Sequence, residues 1–193
     1  MRRLAFSTVI FVFGFVVVAC GPSDHALLQA ASLTVSPCQD HDAKTFAPFK
    51  MNADLLRWIE DDGVGQIEMR GGYRAQTLSD TIVLQVLDVA EAERQFAASP
   101  GTAMPLDNKL FRLSLLLLES CPDATQTMVG ASGDVTFTAF DTSVGGHIEG
   151  SGRFDLIDAR NTDDSTAVPV AAGATLEFDF KVRRGSVYED YTR

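Results

Sequence analysis

Three stretches of regular alternation between apolar and polar side chains lie between Gly133 and Arg183, and they constrain the fold more than any other part of this chain. In the last stretch every second residue is apolar: Ala174, Leu176, Phe178, Phe180 and Val182. A period of two places one face of an extended strand inside and the other in water. The same alternation runs through 148–157 and 135–139. Three consecutive half-buried strands predict an antiparallel β-meander.

Further strand patterns precede this meander. Residues 66–74 alternate, and residues 81–87 are apolar on nearly both faces, as in a central strand. The leucine-rich stretch 109–119 predicts a buried strand, because its length is bounded and short. Residues 52–60 fit a helical turn or a strand equally well. Residues 102–108 are interpreted as a loop.

One helix is predicted, over residues 88–98. Asp88 can cap it, Glu91 follows three residues later as in a capping box, and a Ser-Pro-Gly sequence ends it. Its apolar positions form a narrow stripe expected to cover one end of the sheet: Val89, Ala92 and Phe96. About seven or eight strands and one short helix predict an all-β fold. We expect an antiparallel β-sandwich, with a closed barrel as the second choice.

The N-terminal 19 residues have the layout of a secretion signal. Arg2 and Arg3 precede an apolar run from Leu4 to Val18. This run of 15 residues is shorter than the roughly 20 that a membrane-spanning helix needs. We therefore assign residues 1–19 to a signal peptide.

The end of this signal, Val17, Val18, Ala19 and Cys20, resembles the lipobox of bacterial lipoproteins. The resemblance implies cleavage before Cys20 and a diacylglycerol on its sulfur. This lipid would anchor the chain to a membrane. Gly21 in place of the aspartate that retains such proteins at the inner membrane implies an outer-membrane destination. The alternative is an ordinary signal peptide or an uncleaved anchor, with Cys20 unmodified. We assign residues 20–31 to a lipidated tether and 32–193 to a single β-rich domain.

The mature chain is acidic. Removing residues 1–19 leaves 174 residues, and the loss of Arg2 and Arg3 takes the formal charge from −10 to −12. Binding to nucleic acid requires clustered Lys and Arg, and the longest basic run here is Arg183 and Arg184. Nucleic acid is therefore excluded as an expected partner.

Two cysteines remain once Cys20 is assigned to lipid, in a compartment that permits disulfides. We predict that Cys38 and Cys121 are bonded; the alternative is two separate buried thiols. The closed loop of about 84 residues gives an upper limit near 4.5 kcal/mol for the stabilisation.

The residue types that commonly act in catalysis or ligand binding are not spaced here as in known motifs. The histidines, His25, His41 and His147, lack a paired metal-binding pattern, and Ser151 is not in a Gly-x-Ser-x-Gly motif. The pairs Asp61–Asp62 and Asp163–Asp164 fit turns, with a calcium site as the less favoured alternative. The aromatic residues of the meander form a core or line a cavity for an apolar ligand: Phe137, Phe154, Phe178 and Phe180. We predict no metal, no cofactor and no enzymatic activity.

Beyond the lipobox, four segments resemble β-rich bacterial envelope lipoproteins of unassigned function: 113–122, 133–140, 150–160 and 176–182. The shared pattern is a strand, a Cys-Pro, a glycine-led strand, a Gly-x-Phe strand and a final aromatic strand. The resemblance brings no catalytic residue. We expect a lipid-anchored binding or structural module with envelope proteins as partners; the alternatives are a carrier of an apolar ligand and an envelope hydrolase.

Overall fold

A computed structural model describes residues 24–39, 42–71, 79–121, 127–162 and 166–183. In this part of the chain the strands are β1 (His25–Ala30), β2 (Leu33–Gln39), β3 (Asp42–Phe46), β4 (Phe49–Ala53), β5 (Leu55–Asp61), β6 (Val64–Arg70), β7 (Thr81–Val86), β8 (Ala103–Pro105), β9 (Phe111–Leu116), β10 (Met128–Phe140), β11 (His147–Asp158) and β12 (Ala171–Lys181). Helix α1 (Val89–Ala98) lies between β7 and β8, and a 3₁₀ turn (Ala159–Asn161) follows β11.

Ten of these strands form one antiparallel sheet in the order β4-β1-β12-β11-β10-β9-β7-β6-β5, with β8 added on β10. β4 and β5 stand at opposite ends of this order, but only Asp54 separates them in the chain. The chain therefore passes directly from one edge of the sheet to the other, and the sheet nearly closes into a barrel-like shape. The predicted all-β class is confirmed.

The predicted meander is confirmed as β10, β11 and β12, which pair in sequence order. The five apolar residues that the alternation predicted to be buried, from Ala174 in β12 to Val182 directly after it, are all buried. In β10 the pattern differs after Phe137: the pairing register shifts before Ala139, and Phe140 becomes buried. A β-bulge inserts one residue, so the buried position that the alternation predicted for Ala139 is occupied by Phe140 instead.

The predicted helix is confirmed as α1. The Asp88 carboxylate accepts a hydrogen bond from the backbone N–H of Glu91 at 2.9 Å, which satisfies one free donor of the first turn. Val89 and Ala92 are buried, and the Phe96 ring lies 6.3 Å from that of Phe140 at the end of β10. The helix therefore covers one end of the sheet, as its apolar stripe predicts.

Two predictions about the rest of the chain are wrong. The expected tether, 20–31, overlaps β1, in which Ala26, Leu28 and Ala30 are buried between β4 and β12. Backbone pairing on both sides makes residues 25–30 part of the domain. The expected loop 102–108 contains β8, which pairs with β10. Residues 52–60, for which the sequence fits a helical turn and a strand equally well, form the end of β4 and most of β5.

Candidate functional site

The inner face of the sheet is filled by side chains. Phe111, Phe137 and Phe178 are almost fully buried, and their rings, from β9, β10 and β12, lie 5.7 Å apart in the pairs Phe111–Phe137 and Phe137–Phe178. Phe154 and Phe180 are buried in the same cluster. Of the two interpretations of these aromatic residues, this contact pattern favours a packed core over the lining of a ligand cavity.

Gly150 makes room for this packing. A Cβ atom added at Gly150 would lie 2.6 Å from Cζ of Phe178 and 2.6 Å from the backbone oxygen of Thr136. The glycine in β11 therefore marks a close approach of another side chain and of a neighbouring strand, as is usual for glycine inside a strand.

Of the residues considered for hydrolysis, the structure describes His147 and Ser151, and these two do not form a catalytic pair. Nε2 of His147 lies 2.6 Å from Oδ1 of Asp179, and both side chains are on the outer face of the sheet. Ser151 is exposed on the same strand as His147, four residues further on. Four residues along a strand place the two Cα atoms about 13 Å apart. The histidine and the serine are therefore not brought together.

Among the described residues considered for metal binding, His147 lies apart from the pair Asp61–Asp62. Asp61 and Asp62 belong to the hairpin turn between β5 and β6, where Asp62 and Gly63 have φ angles of 49° and 76°. This is the turn chemistry expected of an Asp-Gly pair. His41, Asp163 and Asp164 lie outside the described residues. Over the part of the chain that the structure describes, no three His, Cys, Asp or Glu side chains are grouped to hold a metal ion.

The start of the described chain is fixed to the end of β12. Asp24 accepts a hydrogen bond from the backbone N–H of Lys181 at 3.1 Å, and its other carboxylate oxygen lies 2.5 Å from the Arg183 guanidinium. His25 then pairs with Asp179 in β1 and β12. The chain is therefore part of the barrel-like sheet from Asp24 onward.

A tight loop, residues 141–146, lies beside this junction. The backbone N–H of Gly145 donates to the carbonyl of Val182 at 2.8 Å, and the N–H of Gly146 donates to the carbonyl of Ser143 at 2.7 Å. The hydroxyl and backbone N–H of Ser143 both donate to Asp141, which lowers the pKa of that carboxyl. Val144, at the tip, is 61% exposed. We call Asp24, the 141–146 loop and residues 181–183 the N-terminal end of the barrel.

The opposite end carries the disulfide. Cys38 and Cys121 are bonded, as predicted, with an S–S distance of 2.08 Å, and both are fully buried. The buried Asp80 carboxylate accepts from the backbone N–H groups of Glu119 at 2.9 Å and Ser120 at 3.0 Å. The turn before Cys121 is thereby held in place. We call this region, with β2, β3 and the connection from β11 to β12, the disulfide end.

The connection from β11 to β12 is joined to β2 through Arg160. The Arg160 guanidinium donates to the Asp158 carboxylate and, at 3.1 Å, to the backbone oxygen of Ser36. The hydrogen bond from Arg160 lowers the pKa of Asp158. The backbone N–H of Thr34 also donates to the carbonyl of Val170 at 3.0 Å. The β2–β3 hairpin is thereby tied to the main sheet.

A charged cluster that the sequence did not reveal lies on the outer face of β5 and β6. The Glu68 side chain is only 4% exposed, and its carboxylate is paired with the guanidinium groups of Arg57 and Arg70. Nε of Arg57 donates to Glu68 at 2.6 Å. The alternation in β6 predicts that Glu68 faces water, and only the register of β5 against β6 brings Arg57 over it.

A cleft of about 270 Å³ lies between β10, the end of β11 and the neighbouring loops. Its lining is mixed: Val129, Ala131 and Ile157 contribute apolar side chains, and Asn108 and Thr162 contribute polar ones. Among the described residues that line it, none has a carboxylate, imidazole, thiol or amine side chain that could serve as an acid or base.

Comparison of the chain with protein-family models, with curated proteins and with solved structures finds no match. Among the described residues, no helix has the length and apolar character needed to cross a membrane.

Proposed function

We propose that this chain is a lipid-anchored protein of the cell envelope that acts by binding or by structural placement, and not by catalysis. The observation that carries the proposal is the position of Cys20, at the end of a signal-like sequence and only four residues before Asp24, which is fixed to the barrel. A cysteine so close to the folded domain fits an attachment point better than a core thiol. The residue that follows it, Gly21, supports an outer-membrane destination.

The buried disulfide supports the same compartment. Disulfides persist in oxidising environments such as the periplasm and are rare in the reducing cytosol. Cys38 and Cys121 are bonded in the structure, and this leaves Cys20 as the third cysteine of the chain. The division of roles between one acylated and two bonded cysteines accounts for all three.

Binding of a partner on the outer face of the sheet is favoured over the carriage of an apolar ligand inside it. The ring contacts of Phe137 with Phe111 and Phe178 cross the inner face of the sheet, where such a ligand would have to lie. A hydrolase is less favoured because His147 and Ser151 lie apart on β11. The expected partners are the lipid of the anchor and proteins of the envelope, and nucleic acid is excluded by the acidic charge.

The first test is the intact mass of the protein from native membranes, with and without reduction and alkylation. We expect a mature chain that begins at Cys20 and carries acyl chains, and two further thiols that react only after reduction. The Cys20→Ser variant is the control, and it should keep the disulfide and lose the acyl mass and the membrane fraction. An unmodified Cys20 in the native protein would end the proposal.

The rival functions have tests of their own. Binding of the dye ANS to the native protein, with displacement by a fatty acid, would favour the carrier. Turnover of an ester, phosphoester or glycoside substrate would favour the hydrolase, provided that it is lost in His147→Ala. We expect neither result, because the inner face is packed and Ser151 lies apart from His147 on β11.

A further inference from the structure

The connection between the proposed anchor and the barrel is short. Asp24 is the fourth residue after Cys20. An extended chain spans at most about 3.3–3.6 Å per residue, or roughly 14 Å over these four steps. Asp24 is itself held by Lys181 and Arg183. An acyl group on Cys20 therefore keeps the N-terminal end of the barrel close to the lipid headgroups.

The two ends of the barrel are far apart compared with this connection. β11 runs from one end to the other and contains 12 residues. At about 3.3 Å per residue it is roughly 40 Å long, and a strand tilt of about 40° leaves roughly 30 Å along the barrel axis. The disulfide end therefore lies beyond the reach of the connection.

The side of the barrel next to the anchor is a poor surface for lipid. The outer faces of β11 and β12 carry Glu149, Glu177 and Asp179 together with Arg153 and Lys181, a set with a net negative charge. Carboxylates are repelled by anionic headgroups. A barrel lying on this side is disfavoured, whereas at the N-terminal end the exposed Val144 and Lys181 offer an apolar and a cationic group to the interface.

We propose that the N-terminal end of the barrel rests on the lipid surface, with Val144 at the headgroup level, and that the disulfide end points away from the membrane. This orientation rests on the proposed acylation of Cys20. The 141–146 loop is suited to the contact because its backbone is held by hydrogen bonds to Val182 and Ser143, so Val144 stays exposed at its tip. A fixed apolar side chain enters an interface without an ordering cost.

Two exposed valines provide a matched pair for the test. Val144 is 61% exposed at the N-terminal end, and Val168 is 81% exposed in the connection from β11 to β12 at the disulfide end. Val144→Cys and Val168→Cys would each be labelled with the fluorophore NBD on the acylated full chain, whose other cysteines are occupied. The labelled proteins are placed on vesicles of phosphatidylethanolamine and phosphatidylglycerol that contain a headgroup spin label.

We expect several-fold stronger quenching of the label at 144 than at 168. Equal quenching, or stronger quenching at 168, overturns the proposed orientation. Co-flotation of each labelled protein with the vesicles, and its loss in Cys20→Ser, is measured in the same samples. Failure to float ends the proposed anchoring, so the two failures are distinguishable.

A second variant tests whether the short connection sets the orientation. A flexible Gly-Ser linker of 20 residues inserted before Asp24 has an average span of about 25 Å, close to the length of the barrel. Acylation and flotation should be kept, while the difference in quenching between 144 and 168 should fall at least twofold. If the difference in quenching between 144 and 168 were unchanged, the short connection would not be the cause of the orientation.

Discussion

Glu68 lies on the outer face of β6, and yet its carboxylate is almost completely shielded from water by Arg57 and Arg70. A buried carboxylate keeps its charge only when strong hydrogen bonds replace those of water. The two guanidinium groups supply these bonds and remain partly exposed themselves. The cluster thereby joins β5 to β6 near the closing edge of the sheet.

Glu68→Gln tests the contribution of this cluster. The amide has nearly the same shape but no charge, so two charge-assisted hydrogen bonds are weakened. We expect the free energy of unfolding to fall by about 1.5–3 kcal/mol, measured by urea denaturation with an unchanged slope. Glu177→Gln, at an exposed position of β12, is the control and should change it by less than about 0.5 kcal/mol. Equal effects of the two variants would contradict the expectation.

Gly150 is the second residue with a sharply defined environment. In Gly150→Ala the new methyl group would lie 2.6 Å from the backbone oxygen of Thr136, which belongs to β10 and cannot move without disturbing the sheet. We expect a loss of about 1–3 kcal/mol, which for a chain of this size lowers Tm by roughly 2–4 °C per kcal/mol.

Ser151→Ala is the matched control for Gly150→Ala, because Ser151 is adjacent in β11 and exposed. Its Tm should stay within about 1–2 °C of the wild type, since exposed substitutions usually change stability by less than 0.5 kcal/mol. A Gly150→Ala protein as stable as the Ser151→Ala protein would mean that β10 and Phe178 can move aside.

Among the elements, helix α1 depends on the cap at Asp88. Asp88→Ala removes the hydrogen bond to the N–H of Glu91, and we expect a cost of about 0.5–2 kcal/mol. Asp88→Asn should lie close to the wild type, because asparagine caps a helix about as well as aspartate. Urea denaturation of both variants measures the difference. Asparagine as damaging as alanine would assign the effect to the charge at the helix N-terminus and not to the cap.

The elements that could be predicted from the sequence are those whose signals are local. β12 and the residue after it show five alternating apolar residues, and α1 has its cap, its acidic third residue and its stop within a dozen positions. β1 was missed because its buried residues Ala26 and Ala30 are small and Leu27 interrupts the alternation. A short strand of this kind is defined by its neighbours, β4 and β12, and not by its own side chains.

The contacts of the candidate site depend on pairing between distant residues, which a single sequence does not reveal. Asp24 meets Arg183 across 159 positions, and Asp80 meets Ser120 across 40. Each contact requires the register of the sheet to be known first. The disulfide could be predicted because counting cysteines, once Cys20 was set aside, left a single pairing.

At the scale of the whole molecule, the nearly closed sheet and the disulfide act on different parts of the chain. The sheet order joins β4 and β5 through Asp54. The β2–β3 hairpin is outside that sheet and is tied to it by Cys38, by the bond from Thr34 to Val170 and by the bond from Arg160 to Ser36. The disulfide is the covalent member of this set, and it spans a sequence separation of 83 residues.

Reduction of the disulfide should therefore lower the stability of the whole domain. In the chain-entropy model a loop of this length contributes at most about 4.5 kcal/mol, and we expect a loss of roughly 3–4 kcal/mol on reduction, measured by urea denaturation with and without a phosphine reductant. The measurement is made in Cys20→Ser, so that no third thiol is present.

The double variant Cys38→Ala/Cys121→Ala is the control for this measurement. It should start near the stability of the reduced protein and should not respond to reductant, because the hairpin then keeps only its hydrogen bonds and the buried side chains Leu33 and Val35. If the reduced protein has two titratable thiols and yet unfolds at the same urea concentration as the oxidised protein, the hairpin is held by packing alone. In that case the disulfide would add nothing to the free energy of unfolding, and the entropic argument for its role would fail.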